Sequence, residues 1–322
     1  VRVRVLFASP KHGTELHALT GSAFDTKRWD PELRLFLRSE EARPGGPPTW
    51  RRVGNMVVGE VEECGSEVAR WKAGDRVFGY GPIREEHQAE EGHWYPLGNI
   101  APEAAVCVDP AHVAFVAVRD GRIRIGDHVA VFGLGAIGLM AVEIARASGA
   151  RRVIAVDPSG LRRDCAMALG ADAAVDPAEP DVGLTIKQLT DRQGVDVAIE
   201  TSGSAAALHE AIRALRKCGT VVHVPWGPRD CSALRLDEEF HLNRPTIVGS
   251  QAWEGWECPD RDYPLWTHQR AFEATIELFQ SGVVSGKGIV TPVVPFAEAA
   301  DALSQCLRRP DQAIKIGVEF EQ

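Results

Sequence analysis

Three glycines define the chemistry this sequence can support. In "VFGLGAIGLM", Gly133, Gly135 and Gly138 fall in GxGxxG spacing, directly after an apolar run that reads as a strand and at the start of a run that reads as a helix. In that context the first glycine permits a tight turn. The second lets the backbone approach a pyrophosphate, and the third lets the helix pack close to the strand. The helix then offers the phosphates its first N–H groups, those of Ala136 and Ile137, and its positive dipole end. Glycine turns between strand and helix are common, so the spacing gains its meaning from the residues downstream. The next strand, "RRVIAVDP", ends in Asp157, roughly 20 residues beyond the last glycine, where a carboxylate can accept hydrogen bonds from an adenosine ribose. Such a carboxylate repels the 2′-phosphate of NADP, so NAD is the expected cofactor. Arg162 and Arg163 come shortly after and argue in the other direction; Arg162 joins the candidate cofactor contacts.

Two further stretches belong with this set. "ETSG", Glu200 to Gly203, comes after the fourth strand of the region, so Thr201 and Ser202 are expected to line the cofactor groove. They are equally placed to cap the helix of "SAAALHEA", and the two roles are compatible. "VPWGP" carries Trp226 past the end of the next strand, toward the nicotinamide. Trp253, Trp256 and Trp266 form a tryptophan-rich stretch beyond the last strand of the region. Aromatic walls with polar tips suit sugars, polyols or other polar rings, although core or subunit packing is the commoner use of such residues.

The elements that must hold these residues fall into three regions. Residues 1–118 are rich in Val, Gly and Pro, with short strand-like runs such as "NMVVGEVEE" and "GDRVFGY" between turn residues. Residues 119–254 alternate apolar runs with helical patterns, as parallel βαβ units do; "HVAVFGL", "RRVIAVDP", "VDVAIETS", "TVVHVPW" and "PTIVGS" are the strands. Their nearly continuous apolar character fits strands covered on both faces. Between them, Ile137, Met140, Ala141 and Ile144 share one helical stripe, and "AAALHEAIRALRKCG" reads as a second crossover helix ending at Gly219. The tail, 255–322, contains a helix with Phe272, Ile276 and Phe279 on one face, then "AEAADALSQCLRR", then a closing strand "AIKIGVEF". The fold class is α/β, with a strand-rich domain beside a doubly wound parallel sheet.

Composition narrows the function classes. The 322 residues are 44% hydrophobic and 25% charged, enough for about two domains. A net charge of −9 argues against nucleic acid or an anionic membrane as partner and favours small-molecule chemistry. No apolar run has the length of a membrane span and no signal-peptide pattern is present, so a cytoplasmic location is expected. Seven scattered cysteines without a CxxC pair suggest reduced thiols. The chain opens in strand-like alternation, "VRVRVLF", without an initiator Met, the pattern of a sequence trimmed of an earlier strand or hairpin.

The strand-rich first region, the stretch "RIRIGDHVAVFGLGAIGLMAVEIARASGARRVIAVDPSGLRRDCAMALGADAAVD" and the returning tail together resemble the medium-chain dehydrogenase/reductase superfamily over nearly the whole chain. The resemblance implies a GroES-like catalytic domain, residues 1–118 completed by 255–322, and a Rossmann NAD-binding domain, residues 119–254. "VEECGSEVARWKAGDRVFGYG" and "SGVVSGKGIVTPVVPFAEAADAL" look like stretches of the catalytic domain. The threonine and histidine that the family carries before its final helix are here Thr291 and Pro292, a departure.

Many members are zinc-dependent alcohol or polyol dehydrogenases, and their metal loop reads roughly Cys-Gly-Thr-Asp-x-His. The corresponding loop in "SPKHGTELHALTG" reads His12, Gly13, Thr14, Glu15, Leu16, His17. The Gly-His-Glu motif that supplies a second ligand becomes Gly54, Asn55, Met56, and the four-cysteine lobe of a structural zinc is absent from the sequence. Zinc prefers thiolate, imidazole or carboxylate donors, so no metal is expected. A rearranged site from His12, His87, His93 and His112 lacks HxH, HxxxH or HExxH spacing, and "EEHQAEEGHWYP" reads as a solvated loop.

Without a metal, a hydrogen-bond donor and an acid/base must act on the substrate oxygen. The resemblance implies that Thr14 contacts that oxygen and His17 passes the proton toward solvent, while His12, in the ligand's place, is a candidate for direct contact or acid/base action. The alternative for His12 is a hydrogen bond to a loop carbonyl, and Lys11 reads as an exposed lysine. The expected activity is zinc-independent, NAD-dependent hydride transfer between nicotinamide and an alcohol or ketone, with a polyol, sugar or other polar ring as substrate. An NADPH-dependent quinone or enoyl reductase and a catalytically silent dinucleotide-binding protein are the alternatives. The resemblance further implies a homodimer or homotetramer associating through the Rossmann sheet edge at "PTIVGSQAW".

Overall fold

The computed structural model describes residues 1–11, 13, 27–38, 53–227, 230–252 and 261–321, the side chain of residue 307 excepted. The chain divides into two compact units. The first draws on residues 1–15, 52–110 and 275–322, the second on residues 16–51 and 111–274.

The first unit is built on strands β1 (Arg2–Ser9), β4 (Met56–Glu63), β5 (Arg76–Tyr80), β6 (Glu86–Gln88), β7 (Tyr95–Pro96), β14 (Val290–Pro295) and β15 (Lys315–Glu319). Among the described residues they form one sheet in the order β14-β15-β1-β4-β5-β7, with β6 also paired to β1. Alternation in "VRVRVLF" decides how β1 sits. Val3, Val5 and Phe7 are buried, whereas Arg2 and Arg4 turn outward to ion pairs with Glu60, Glu62 and Glu63 on β4. The tail returns to this sheet, because β15 pairs antiparallel with β1 at Phe7 opposite Glu319. Val3, Val5, Val57, Val61, Val77, Trp94, Ile316 and Val318 share its core.

The stretch expected as a solvated loop, "EEHQAEEGHWYP", is instead structured. His87 lies in β6 opposite Val3 and is 5% exposed, and Trp94 is fully buried. Pairing with β1 supplies partners that the local pattern does not reveal.

The second unit carries strands β8 (His128–Phe132), β9 (Arg152–Val156), β10 (Ala173–Val175), β11 (Val195–Glu200), β12 (Leu215–His223) and β13 (Thr246–Gly249). They are all parallel, in the order β10-β9-β8-β11-β12-β13. Counted from β8 this is 3-2-1-4-5-6, the doubly wound dinucleotide-binding order, and its switch point lies between β8 and β11. A short hairpin of β2 (Lys27–Asp30) and β3 (Leu35–Arg38) is also described.

The helices in chain order are α1 (Pro102–Ala105), α2 (Val108–Asp120), α3 (Ala136–Ala147), α4 (Gly160–Ala168), α5 (Val182–Leu189), α6 (Ala205–Ala214), α7 (Glu239–Asn243), α8 (His268–Gln280) and α9 (Ala299–Arg308). The expected stripe on α3 faces inward, with Met140, Ala141 and Ile144 buried. Phe272, Ile276 and Phe279 do the same on α8. One expectation shifts. α6 stops at Ala214 rather than Gly219, since Leu215 is fully buried and already pairs with Val195 as the start of β12. The two compact units divide at 110/111, inside α2, and at 274/275, inside α8, beside the expected domain limits of 118/119 and 254/255. No helix among the described residues is long and apolar enough to cross a membrane.

Candidate functional site

The glycine turn joins the end of β8 to α3 at the switch point of the parallel sheet. Gly133 has φ +85°, a backbone conformation that disfavours any side chain, and an added Cβ would also stand 2.6 Å from Ser202 N. A Cβ on Gly138 would overlap the carbonyl oxygen of Gly133, so this position lets α3 close onto the turn. Gly135 differs from both. Its backbone is extended, and a Cβ there would meet nothing within 4 Å. The fold does not need glycine at 135. The open space fits a ligand approaching the backbone at the head of α3, where Ala136 and Ile137 carry N–H groups that have no carbonyl one turn earlier. These residues therefore fit a dinucleotide pyrophosphate.

Asp157, 3% exposed, ties this turn to the next element. Its Oδ2 accepts from Leu134 N at 2.7 Å and its Oδ1 from Ser159 N at 2.8 Å. Arg162 Nη1 lies 3.8 Å from Oδ2, and Arg163 donates to the Asp157 carbonyl at 2.6 Å while pairing with Asp176 at 2.9 Å. Each carboxylate oxygen has two acceptor directions, which leaves capacity for a ribose hydroxyl.

Thr201 and Ser202 stand on the other side of the switch point. Thr201 Oγ1 donates to Gly133 O at 2.7 Å, and its N–H to Phe132 O at 2.8 Å. The cap of α6 is neither of them but Ser204, whose side chain accepts from Ala207 N. Trp226 lies just past β12 and is 49% exposed. Trp266 is already covered: the guanidinium carbons of Arg119 and Arg270 lie 3.8 Å and 4.3 Å from its ring centroid. That makes it a packing residue, in place of an open aromatic wall. Trp253 and Trp256 lie outside the described residues, as do His12, Thr14 and His17.

Around the metal-loop stretch, the described residues give a charge cluster about the buried carboxyl of Asp109. Lys11, expected to be an exposed lysine, pairs with Asp109 at 2.8 Å, and Tyr80 Oη lies 3.1 Å from the same carboxyl. Asp109 is 5% exposed. Burial and the Asp109 charge hold the Tyr80 phenol far above its usual pKa, so it remains a donor. Met56 is fully buried within β4, opposite Tyr80 on β5, and Asn55 exchanges backbone bonds with Ser9 and Gly81. Of the other histidines considered for a metal, His87 is held by Arg84 and by Pro82 O, His93 Nε2 is 2.7 Å from Tyr80 O, and His112 packs against His268 and Phe272. The grouping with metal-ligand spacing among the described residues is a different one, His209, Glu238 and Glu239. Arg213 Nε, 3.3 Å from Glu239, already supplies positive charge there.

Sequence reasoning missed Glu200 and His223. Glu200 is fully buried at the carboxyl end of β11, and His223 Nδ1 lies 2.9 Å from its Oε2. A charged residue closing an apolar strand, with a histidine closing the next, was the available signal.

Comparisons with known proteins bear on the family of this chain. Residues 136–261 match the family model described as zinc-binding dehydrogenase. The D-guloside 3-dehydrogenase of Escherichia coli K12 is 40% identical over 99% of this chain and 93% of its own length. The sorbitol dehydrogenase of Bacillus subtilis is 30% identical over 68% of this chain and 58% of its own. Among solved structures, 2R,3R-butanediol dehydrogenase from Bacillus subtilis superposes with TM-score 0.74 at 25% identity, covering 99% of this chain and 92% of that one. The two units thus define a dinucleotide-dependent oxidoreductase of the kind that acts on alcohols. The chain belongs to the medium-chain dehydrogenase/reductase superfamily, with its GroES-like and Rossmann folds and its NAD(P)-dependent activity.

Proposed function

We propose that this chain is a zinc-independent, NAD-preferring dehydrogenase of a secondary hydroxyl on a sugar, polyol or other polar ring. The observation that carries the cofactor half of this reading is Gly135, whose missing side chain faces open space, one residue past the Leu134 N–H that the buried Asp157 carboxylate accepts. Gly133, Gly138 and the N–H groups of Ala136 and Ile137 hold the pyrophosphate, Asp157 receives the adenosine ribose, and Arg162 flanks it. Thr201, Ser202 and Trp226 border the path toward the nicotinamide. A bound nicotinamide supplies the hydride acceptor for oxidation or donor for reduction.

The chain's own residues manage the proton. Thr14 and His17 carry the proton of the substrate hydroxyl, with His12, in the sequence position of a metal ligand, as a second acid/base. The zinc-free reading is supported by the run Gly54, Asn55, Met56, whose thioether is buried in the sheet core. It is supported too by Lys11, whose ammonium neutralises the nearby buried Asp109 with no metal ion needed for that charge. The sugar or polyol class is supported by the name of the guloside relative, which shares 40% identity over 99% of this chain.

Association through β13, the outer strand of the parallel sheet, would make the protein a homodimer or homotetramer, and the mass of the native particle tests this. Metal analysis of the purified protein, paired with NAD and NADP turnover on a panel of alcohols, polyols and glycosides, tests the rest. Turnover of a cyclic sugar with NAD at trace metal content is expected. Activity that needs stoichiometric zinc would sink the metal-free reading, and preference for NADPH with a quinone or enone would sink the alcohol assignment.

A further inference from the structure

His209 lies off the stripe by which α6 enters the core, which is carried by Leu208, Ala211 and Ile212. The residue is half-buried, yet its Nδ1 is shut off from solvent and has no hydrogen-bond partner. Oε2 of Glu239, the first residue of α7, is in the same condition. A buried polar atom left unbonded is costly, and native proteins carry few of them. Here two fall in one cluster. Glu238 adjoins them at the surface, and one donor atom from each of His209, Glu238 and Glu239 lies within 4.8 Å of the other two.

The charges around this cluster do not balance. Arg213 is shared by three carboxylates: Nη2 stands 3.0 Å from Asp181, Nη1 3.0 Å from Glu210 and Nε 3.3 Å from Oε1 of Glu239. Lys187, whose charge Glu239 also feels, donates from its ammonium to the Leu215 carbonyl at 2.8 Å. With Glu238 added, four carboxylates face two cations. Arg213 engages Oε1 of Glu239 and leaves Oε2 unbonded, as an outer partner holds a ligating carboxylate.

An imidazole with two carboxylates suits a first-row divalent ion of the zinc type, whereas calcium and magnesium take sets of oxygen alone. Donors on a tetrahedral zinc ion stand about 3.4 Å apart, so rotation of these side chains by roughly an ångström closes the set. We propose that His209, Glu238 and Glu239 bind one zinc-type ion, with water completing its shell, and that the ion ties α7 to α6. The ion takes no part in hydride transfer. The proposal is therefore independent of the substrate, of the dinucleotide and of the zinc-free reading of the reaction.

Chelator-treated, dialysed protein is titrated with zinc chloride by calorimetry, and its thermal midpoint is read with and without the metal. One ion per chain is expected, raising the midpoint by a few degrees once zinc exceeds its dissociation constant about 100-fold. Glu238→Gln removes a ligand that is exposed and makes no capping bond, so the metal-free midpoint should stay in place. His209→Gln removes the imidazole. Each should weaken zinc about tenfold or more and shrink the midpoint shift. The loop histidines are the competing site, and a chain carrying both His12→Gln and His17→Gln should bind zinc like the wild type. A wild type that binds no zinc would overturn the proposal, as would affinity unchanged in both Glu238→Gln and His209→Gln. Zinc lost only from the loop variant, and required for turnover, would overturn the zinc-free reading as well.

Discussion

Thr201 Oγ1 lies 2.7 Å from the carbonyl oxygen of Gly133, so a side chain at the end of β11 fastens the glycine turn at the end of β8. The same hydroxyl is 3.2 Å from Phe132 O. Thr201→Val keeps the shape and removes the donor. It should cost roughly 1 kcal/mol, lowering the thermal midpoint by a few degrees, and should raise the dissociation constant for the dinucleotide. Thr201→Ser restores the donor and should recover most of the affinity. A valine variant that binds cofactor like the wild type would separate the turn from this bond.

The three glycines should respond differently to alanine. At Gly133 the positive φ and the approach of Ser202 make the substitution destabilising by roughly 2 kcal/mol or more, and the overlap of Gly138 with Gly133 O has the same sense. At Gly135 the backbone is extended and the space open, so Gly135→Ala should leave the melting temperature within a degree or two while cofactor affinity falls at least tenfold. Retained affinity in a well-folded Gly135→Ala protein would remove the pyrophosphate from this turn.

Asp157 offers a test of cofactor choice. Asp157→Asn keeps an acceptor for one backbone N–H and removes the charge that opposes a 2′-phosphate, while Arg162, 3.8 Å away, loses its ionic partner. The ratio of kcat/KM with NADP to that with NAD should rise about tenfold or more, equivalent to roughly 1.4 kcal/mol. An unchanged ratio would place selectivity elsewhere.

His87 makes stability depend on pH. Burial, and then the Arg84 charge, push its pKa from 6.5 down to about 4, and the neutral ring accepts from Arg84 at Nδ1 while donating from Nε2 to Pro82 O. Between those two values the unfolded chain binds a proton that the folded chain refuses, so stability rises with pH there. The contribution is complete above about pH 6.5 and is lost as pH falls toward 4. Thermal melts across that window should show the decline, and His87→Gln should flatten it.

Lys11→Met would leave Asp109, 5% exposed, with Tyr80 as its remaining donor in this cluster. A loss of roughly 1–3 kcal/mol is expected in a denaturant titration, because the carboxylate stays buried after its cation is gone. Double replacement with Asp109→Asn should recover part of that loss. A single variant as stable as the wild type would show that Lys11 does not neutralise Asp109.

Much of the second unit was legible because its signals are local. "HVAVFGL", "RRVIAVDP" and "VDVAIETS" became β8, β9 and β11, since a continuous apolar run bounded by turn residues has few alternatives in a sheet covered on both faces. β10 escaped notice because its three residues, Ala173–Val175, are too few to show a period. The structure of "EEHQAEEGHWYP" was hidden for the opposite reason: its polar letters describe one edge of a strand whose other edge is completed by β1, far away in sequence. Lys11 looked exposed because its partner, Asp109, arrives from the start of α2, far along the chain.

The sequence by itself determined most strands of the parallel sheet, the glycine turn between β8 and α3, and the carboxylate at the end of the second strand of that sheet, because turn chemistry and hydrophobic period act over a few neighbouring residues. Only the tertiary structure decided which glycine is spare, which buried acids have partners, and that Glu200 meets His223. Those are questions of register and burial. Parallel strands place residues opposite one another only after a helix has crossed between them, and no property of either residue alone records that meeting.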